Sequence, residues 1–138
     1  MPAEQEQAIQ EIVAGWMRQA RSDLAVAKMI DNEEIAPEIL AFHAQQAVEK
    51  SLKALLVQRQ VEFPRTHIIG VLVNLCRESG YSINEVLEEA VTLSSYAVTT
   101  RYPGESDPLS REEARLAAEL AGQVFKWAES QIRSQNQA

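Results

Sequence analysis

The apolar residues of this chain recur every three or four positions over long stretches, which is the spacing of one face of an α-helix. A first helix is predicted from about Gln7 to Ile30. Its apolar face carries Ile12, Trp16, Ala20, Leu24, Ala27 and Ile30. A second helix is predicted from Pro37 to about Arg59, because proline suits the first turn of a helix. Its apolar face carries Leu40, Ala44, Ala47, Val48, Leu52, Leu55 and Leu56.

Two shorter helices are predicted from residues that cap helix ends. A third helix is predicted over residues 66–79, with Thr66 as its N-cap. A fourth helix is predicted over residues 82–99, because Ser82 and Glu85 have the spacing of a capping box. In that motif each side chain accepts a hydrogen bond from the other residue's backbone N–H.

Ser110 and Glu113 repeat the capping-box spacing and predict a fifth helix in the C-terminal part of the chain. Five helices joined by short loops predict an all-α fold, an up-and-down antiparallel helical bundle. No run of alternating β-branched residues is long enough for a sheet. The 138 residues are expected to form one domain over residues 7–134, with frayed termini at 1–6 and 135–138.

Composition and charge narrow the class of protein. A net charge of −7 argues against a broad nucleic-acid surface, although it leaves room for a local basic pocket. The single cysteine, Cys76, excludes a disulfide framework and is expected to be buried. Neither a leader nor an apolar run of about 18 residues is visible, so we expect a cytoplasmic protein away from the membrane. No metal or cofactor is expected, since zinc motifs and glycine-rich phosphate loops are absent.

The second predicted helix also carries a polar stripe. His43, Gln46, Lys50 and Lys53 lie three or four residues apart, so they share one side of the helix over about 15 Å. Lysine offers positive charge to a phosphate, while histidine and glutamine offer directional hydrogen bonds. The alternative is that Glu49 pairs with Lys53 and that the rest of the stripe is a solvated flank.

Two other segments carry candidate binding residues. His67 follows Arg65 at the predicted start of the third helix, where backbone N–H groups attract anions. Equally, His67 could hydrogen-bond a neighbouring backbone group. Arg101 and Tyr102 precede a Pro-Gly turn and could present a guanidinium and a ring to a nucleotide, or pack back on the bundle.

In this order and spacing, the segments Phe42–Leu55, Arg65–His67 and Tyr96–Pro103 resemble the HEPN family, the higher eukaryotes and prokaryotes nucleotide-binding domain. The resemblance covers roughly residues 16–132. It implies an α-helical bundle in a small intracellular protein that is commonly a homodimer and binds a nucleotide or RNA. It also implies a minimal nucleotidyltransferase as partner, in pairs that include toxin–antitoxin systems.

Many HEPN proteins are metal-independent ribonucleases in which an arginine precedes a histidine by four to six intervening residues. Neither histidine of this chain has an arginine at that spacing, and no histidine follows Arg101. The positions concerned hold Ala36, Pro37 and Glu38 before His43, and Gln60, Val61 and Glu62 before His67. The motif is absent, so the resemblance does not imply ribonuclease activity here.

The leading hypothesis is therefore a non-catalytic HEPN domain that binds a nucleotide or a related phosphate ligand. The candidate ligand-binding residues are His43, Gln46, Lys50, Lys53, His67, Arg101 and Tyr102. One alternative is an antitoxin-like helical module that uses the same face to contact protein. The other is a ribonuclease that uses an unconventional pair, His67 and Arg101.

Overall fold

The computed structural model describes residues 2–97 and 109–136. These ranges contain five α-helices and no strand. The helices are α1 (Ala3–Ala27), α2 (Pro37–Gln58), α3 (Ile69–Glu78), α4 (Glu85–Ala90) and α5 (Arg111–Asn136). A 3₁₀ helix, Val91–Ala97, continues from α4. The predicted all-α helical bundle is confirmed.

Helix α2 lies at the centre of the bundle, with α1 and α5 as its two long neighbours. Of its 22 residues, 14 are buried, which is more than a surface helix with one apolar face would bury. The seven apolar residues predicted as its buried face are all 0% exposed. Because α2 is enclosed on several sides, its polar residues are also drawn into the interior.

The segment between α2 and α3 runs back along α2. The backbone carbonyl of His67 accepts a hydrogen bond from Gln45 Nε2 at 3.3 Å, near the middle of α2. Helix α3 then follows the direction of α2, and Tyr81 beyond its end donates a hydrogen bond to the carbonyl of Leu55 at 2.8 Å. This return is one departure from strict up-and-down order, and it brings His67 beside the polar stripe.

Helix α1 begins at Ala3 and ends at Ala27, whereas the sequence indicates a helix from about Gln7 to Ile30. Helix α5 ends at Asn136. Ile12 is 52% exposed and therefore does not belong to the buried face of α1. None of the described helices is long and apolar enough to cross a membrane.

The predicted cap of α5 is confirmed. Glu113 N donates to Ser110 Oγ at 3.0 Å, and Ser110 N donates to Glu113 Oε1 at 3.3 Å. These two hydrogen bonds are the reciprocal pair of a capping box.

The predicted caps of α3 and α4 are wrong. Helix α3 begins at Ile69, because the hydroxyl of Thr66 is used in a local turn, where it accepts a hydrogen bond from Ile68 N. The N-cap of α4 is Asn84, whose side chain accepts a hydrogen bond from the backbone N–H of its third helical residue. Ser82 lies two residues too early, and asparagine caps a helix as well as serine does.

Candidate functional site

A carboxylate on α1 faces the polar stripe of α2. Asp23 is only 9% exposed, and each of its two oxygens holds one stripe residue. Oδ1 lies 2.8 Å from His43 Nδ1, and Oδ2 accepts a hydrogen bond from Lys50 Nζ at 2.8 Å. The side chains of His43 and Lys50 remain 32% and 21% exposed, so the group is open on its outer side.

A second buried carboxylate, Glu49, holds Lys53 of the stripe together with His67 from the loop before α3. Glu49 is 3% exposed. Its Oε1 lies 2.7 Å from His67 Nδ1, and its Oε2 accepts a hydrogen bond from Lys53 Nζ at 2.8 Å. Lys53 also lies over the rings of Trp16 and Phe63, 5.5 and 5.7 Å from their centroids.

Three donors keep the Glu49 carboxylate charged in the interior. Burial alone raises the pKa of this carboxyl, but the hydrogen bonds from Lys53, His67 and Gln45 outweigh burial and lower it. Glu49 is therefore an anion that fixes the position of its three partners.

Two glutamine side chains extend this network along α2. Gln46 Nε2 donates to Gln45 Oε1 at 3.1 Å, and Gln45 Nε2 in turn donates to Glu49 Oε1 at 3.1 Å. Gln45 is 0% exposed and Gln46 is half-buried, so only the Gln45 amide lies fully on the interior side of the site. A continuous chain of polar contacts thus leads from Gln46 to Glu49 and on to His67.

Both histidine rings are anchored in the same way. Each is held at Nδ1 by a buried carboxylate, and no hydrogen bond from residues 2–97 or 109–136 reaches either Nε2. A carboxylate at Nδ1 places the hydrogen of the neutral ring on that nitrogen. The neutral ring then accepts a hydrogen bond at Nε2, and the protonated ring donates one there.

The predicted ligand-binding residues differ in exposure and in the carboxylate that holds them. His43 and Lys50 are partly open, and His67, with 66% of its side chain exposed, joins them. Lys53 is 8% exposed and occupied by Glu49, as in the alternative interpretation of the stripe. The remainder is not a solvated flank, because Asp23 draws the other half inward. Arg101 and Tyr102 lie outside the described residues.

Sequence reasoning missed Asp23 as a site residue. It lies twenty residues before His43 on another helix, so no local spacing links the two. One signal was present, because Asp23 stands on the apolar face of α1 between Ala20 and Ala27. A charged residue at such a position needs a buried partner.

Two further observations concern metal-ligating and nucleophilic side chains. The described residues contain no group of three or more His, Cys, Asp or Glu side chains that could hold a metal ion. Cys76 is buried, and burial raises the pKa of its thiol to about 12, so it stays protonated and is not a nucleophile. The expectation that Cys76 is a buried residue is confirmed.

The fold and this site define a small helical bundle with two carboxylate-anchored histidines, His43 on the central helix α2 and His67 in the loop before α3. A sequence profile of the HEPN domain matches residues 13–131. The chain therefore belongs to the HEPN family.

Three relatives illustrate the similarity. The archaeal protein named "Putative toxin MJ1304" from Methanocaldococcus jannaschii is 29% identical over 94 residues, which cover 64% of this chain and 61% of that protein. The crystal structure of TT1696 from Thermus thermophilus is similar with a TM-score of 0.73 and 29% identity, over 86% of this chain and 96% of the other. That of ST0689, an archaeal HEPN homologue, has a TM-score of 0.64 and 26% identity, over 87% and 97% of the two chains.

Proposed function

We propose that this HEPN domain binds a nucleotide or a related phosphate ligand at the open edges of His43, Lys50 and His67. The observation that carries the proposal is the pair of histidines anchored through Nδ1, each with an Nε2 that no described residue engages. Such a nitrogen can accept a hydrogen bond from a ribose hydroxyl or, when protonated, donate one to a phosphate oxygen.

The charges around the histidines support an anionic ligand. Asp23 is balanced by Lys50, and Glu49 is balanced by Lys53. Neither buried carboxylate is therefore left unbalanced to repel an anion beside the histidines. A local site of this kind is compatible with a chain whose net charge is −7.

Gln46 adds a directional hydrogen-bonding group beside these residues, and Arg101 and Tyr102 complete the proposed set from the segment before α5. Lys53 is not part of the proposed ligand-binding set, because its ammonium is held between Glu49 and two aromatic rings. We assign it the role of keeping Glu49 in place.

We further propose that the domain acts with a minimal nucleotidyltransferase partner. Family membership supports this, and the description of the Methanocaldococcus jannaschii relative as a toxin candidate fits a toxin–antitoxin type of pair. The match covers about 61% of that relative's length. Co-purification with the product of the neighbouring gene tests the pairing directly.

Isothermal titration calorimetry with ATP, GTP and a short RNA tests the ligand proposal. We expect binding that weakens at least about tenfold in His43→Ala and in Arg101→Ala. Arg77→Ala is the matched control, because Arg77 is an exposed cation on α3 that pairs with Glu88. No heat at millimolar ligand with the folded wild type would contradict the proposal. If alanine substitutions in the site abolish co-purification of the nucleotidyltransferase but leave nucleotide binding unchanged, the alternative of a protein-interaction module is favoured.

Metal-independent RNA cleavage is a second candidate, favoured by one observation. His67 is held by Glu49 as a general base is held in a catalytic triad, and its side chain is 66% exposed. Cleavage of RNA in EDTA that disappears in His67→Ala would establish this activity. Cleavage that is unchanged in His67→Ala would remove this candidate.

A further inference from the structure

The surface between α1 and α5 is a groove with an apolar floor. Both helices pack on α2, and between them they leave two hollows of about 290 and 340 Å³. The first hollow is floored by Val13, Met17 and Ile132. The second is floored by Leu24 and Phe125. Neither hollow uses a residue of the proposed nucleotide site.

A glycine keeps the second hollow open. Gly122 lies within α5, and a Cβ atom built on it would meet no atom within 4 Å. Glycine inside a helix is less favourable than alanine, so Gly122 lowers the stability of α5 while it leaves the second hollow unfilled.

One exposed ion pair crosses the groove between the hollows. Arg21 Nη2 of α1 lies 3.1 Å from Glu129 Oε2 of α5, and the Arg21 guanidinium stands 5.6 Å from the centroid of the Phe125 ring. The side chain of Arg21 is 70% exposed. An exposed pair of this kind contributes little to stability, so Arg21 can exchange Glu129 for an acidic group on a partner.

The charge of the groove is opposite to that of the whole chain. Among the described residues that line the two hollows, four are cations, Arg21, Lys28, Lys126 and Arg133, and Glu129 alone is an anion. The chain as a whole has a net charge of −7. Positive edges above an apolar floor suit a partner with an apolar strip flanked by acidic side chains.

We propose that this groove binds an acidic amphipathic helix of a partner protein. The midpoints of the two hollows lie about 11 residues apart along α1, which is about 16 Å at the rise of an α-helix. Three turns of a partner helix span the same distance, so its apolar residues at i, i+4, i+11 and i+15 would enter the two hollows. A bare polyanion such as RNA matches the cations but leaves the apolar floor unused.

Fluorescence anisotropy with a designed peptide tests this proposal on the full chain. The probe is a fluorescein-labelled helical peptide with leucines at i, i+4, i+11 and i+15 and glutamates on both flanks. We expect saturable binding that weakens at least about tenfold in Gly122→Leu, because the new side chain fills the second hollow. Gln123→Leu is the matched control, since it adds the same side chain to an exposed neighbouring position on α5.

Charge is tested separately from shape. Lys126→Glu combined with Arg133→Glu should abolish binding of the acidic peptide, whereas Arg115→Glu, on α5 outside the groove, should leave it unchanged. An anisotropy curve that stays flat up to millimolar protein, or equal affinity in Gly122→Leu and Gln123→Leu, would overturn the proposal. So would RNA binding with the same variant pattern and no peptide binding. A self-association that Gly122→Leu disrupts, without peptide binding, would overturn it as well and would assign the groove to a second copy of this chain.

Discussion

His67 and Glu49 are joined by a 2.7 Å contact between Nδ1 and Oε1, although they lie on opposite sides of a chain reversal. The reversal brings an exposed histidine from the loop before α3 against a carboxylate that is 3% exposed in the central helix. The same carboxylate also holds Lys53. Glu49 thus connects the core of the bundle to the open edge of the proposed ligand site.

Replacing Glu49 by glutamine should destabilise the fold, because it leaves the ammonium of Lys53 buried without an anion. We expect a loss of about 3 kcal/mol in the free energy of unfolding, measured by urea denaturation. Adding Lys53→Met to the glutamine variant removes the unpaired charge, and should recover most of that loss. A double variant that is less stable than Glu49→Gln alone would contradict this account of Lys53.

The lowered pKa of Glu49 makes stability depend on pH. The pKa of this carboxyl in the folded chain lies below its ordinary value of 4.5, so the unfolded chain binds the proton more tightly. The stabilisation is therefore fully present above pH 4.5 and is lost as the pH falls through the lower folded pKa. Urea unfolding from about pH 7 to about pH 3 should show a smaller acid-induced loss in Glu49→Gln than in the wild type. Equal losses in both proteins would contradict this.

The sequence predicts a helix and its buried face best where the apolar positions keep helical spacing along the whole element. The buried face of α2 was predicted residue by residue, because its apolar positions repeat without interruption. Helix starts were less predictable, since Thr66 and Ser82 have suitable side chains but Thr66 makes a local turn and Asn84 takes the cap next to α4. Several polar residues can compete for one cap, and short-range patterns do not decide between them.

The site was predictable only in part, for a reason of topology. The stripe on α2 is a local pattern, so His43 and Lys50 could be found from spacing alone. Their anchor, Asp23, comes from another helix, and His67 arrives through the reversal after α2. Spacing along one helix carries no information on such pairings, which depend on how the helices pack.

Gln58 offers a test of an unsatisfied buried amide. It is 6% exposed, and within residues 2–97 and 109–136 neither Oε1 nor Nε2 has a hydrogen-bond partner. Gln58→Leu should therefore stabilise the protein by about 1–2 kcal/mol in urea denaturation, because the desolvated amide is removed. Gln45→Leu is the matched control and should destabilise, since Gln45 is also buried but donates to Glu49 and to the His67 carbonyl. Stabilisation by both substitutions would show that burial, not hydrogen bonding, governs these positions.

Two glycines should respond to alanine in opposite directions. Gly80 ends α3 with a φ of +104°, and a Cβ there would lie 2.9 Å from Arg59 Nη1. Gly80→Ala should therefore lower the free energy of unfolding by about 1–2 kcal/mol, because alanine is strained at positive φ. In Gly122→Ala the new Cβ on α5 meets no atom within 4 Å. This substitution should raise the free energy of unfolding by up to about 1 kcal/mol, because alanine has the higher helix propensity. Thermal unfolding monitored by circular dichroism measures both changes, and destabilisation by Gly122→Ala would show that the space beside α5 is not open.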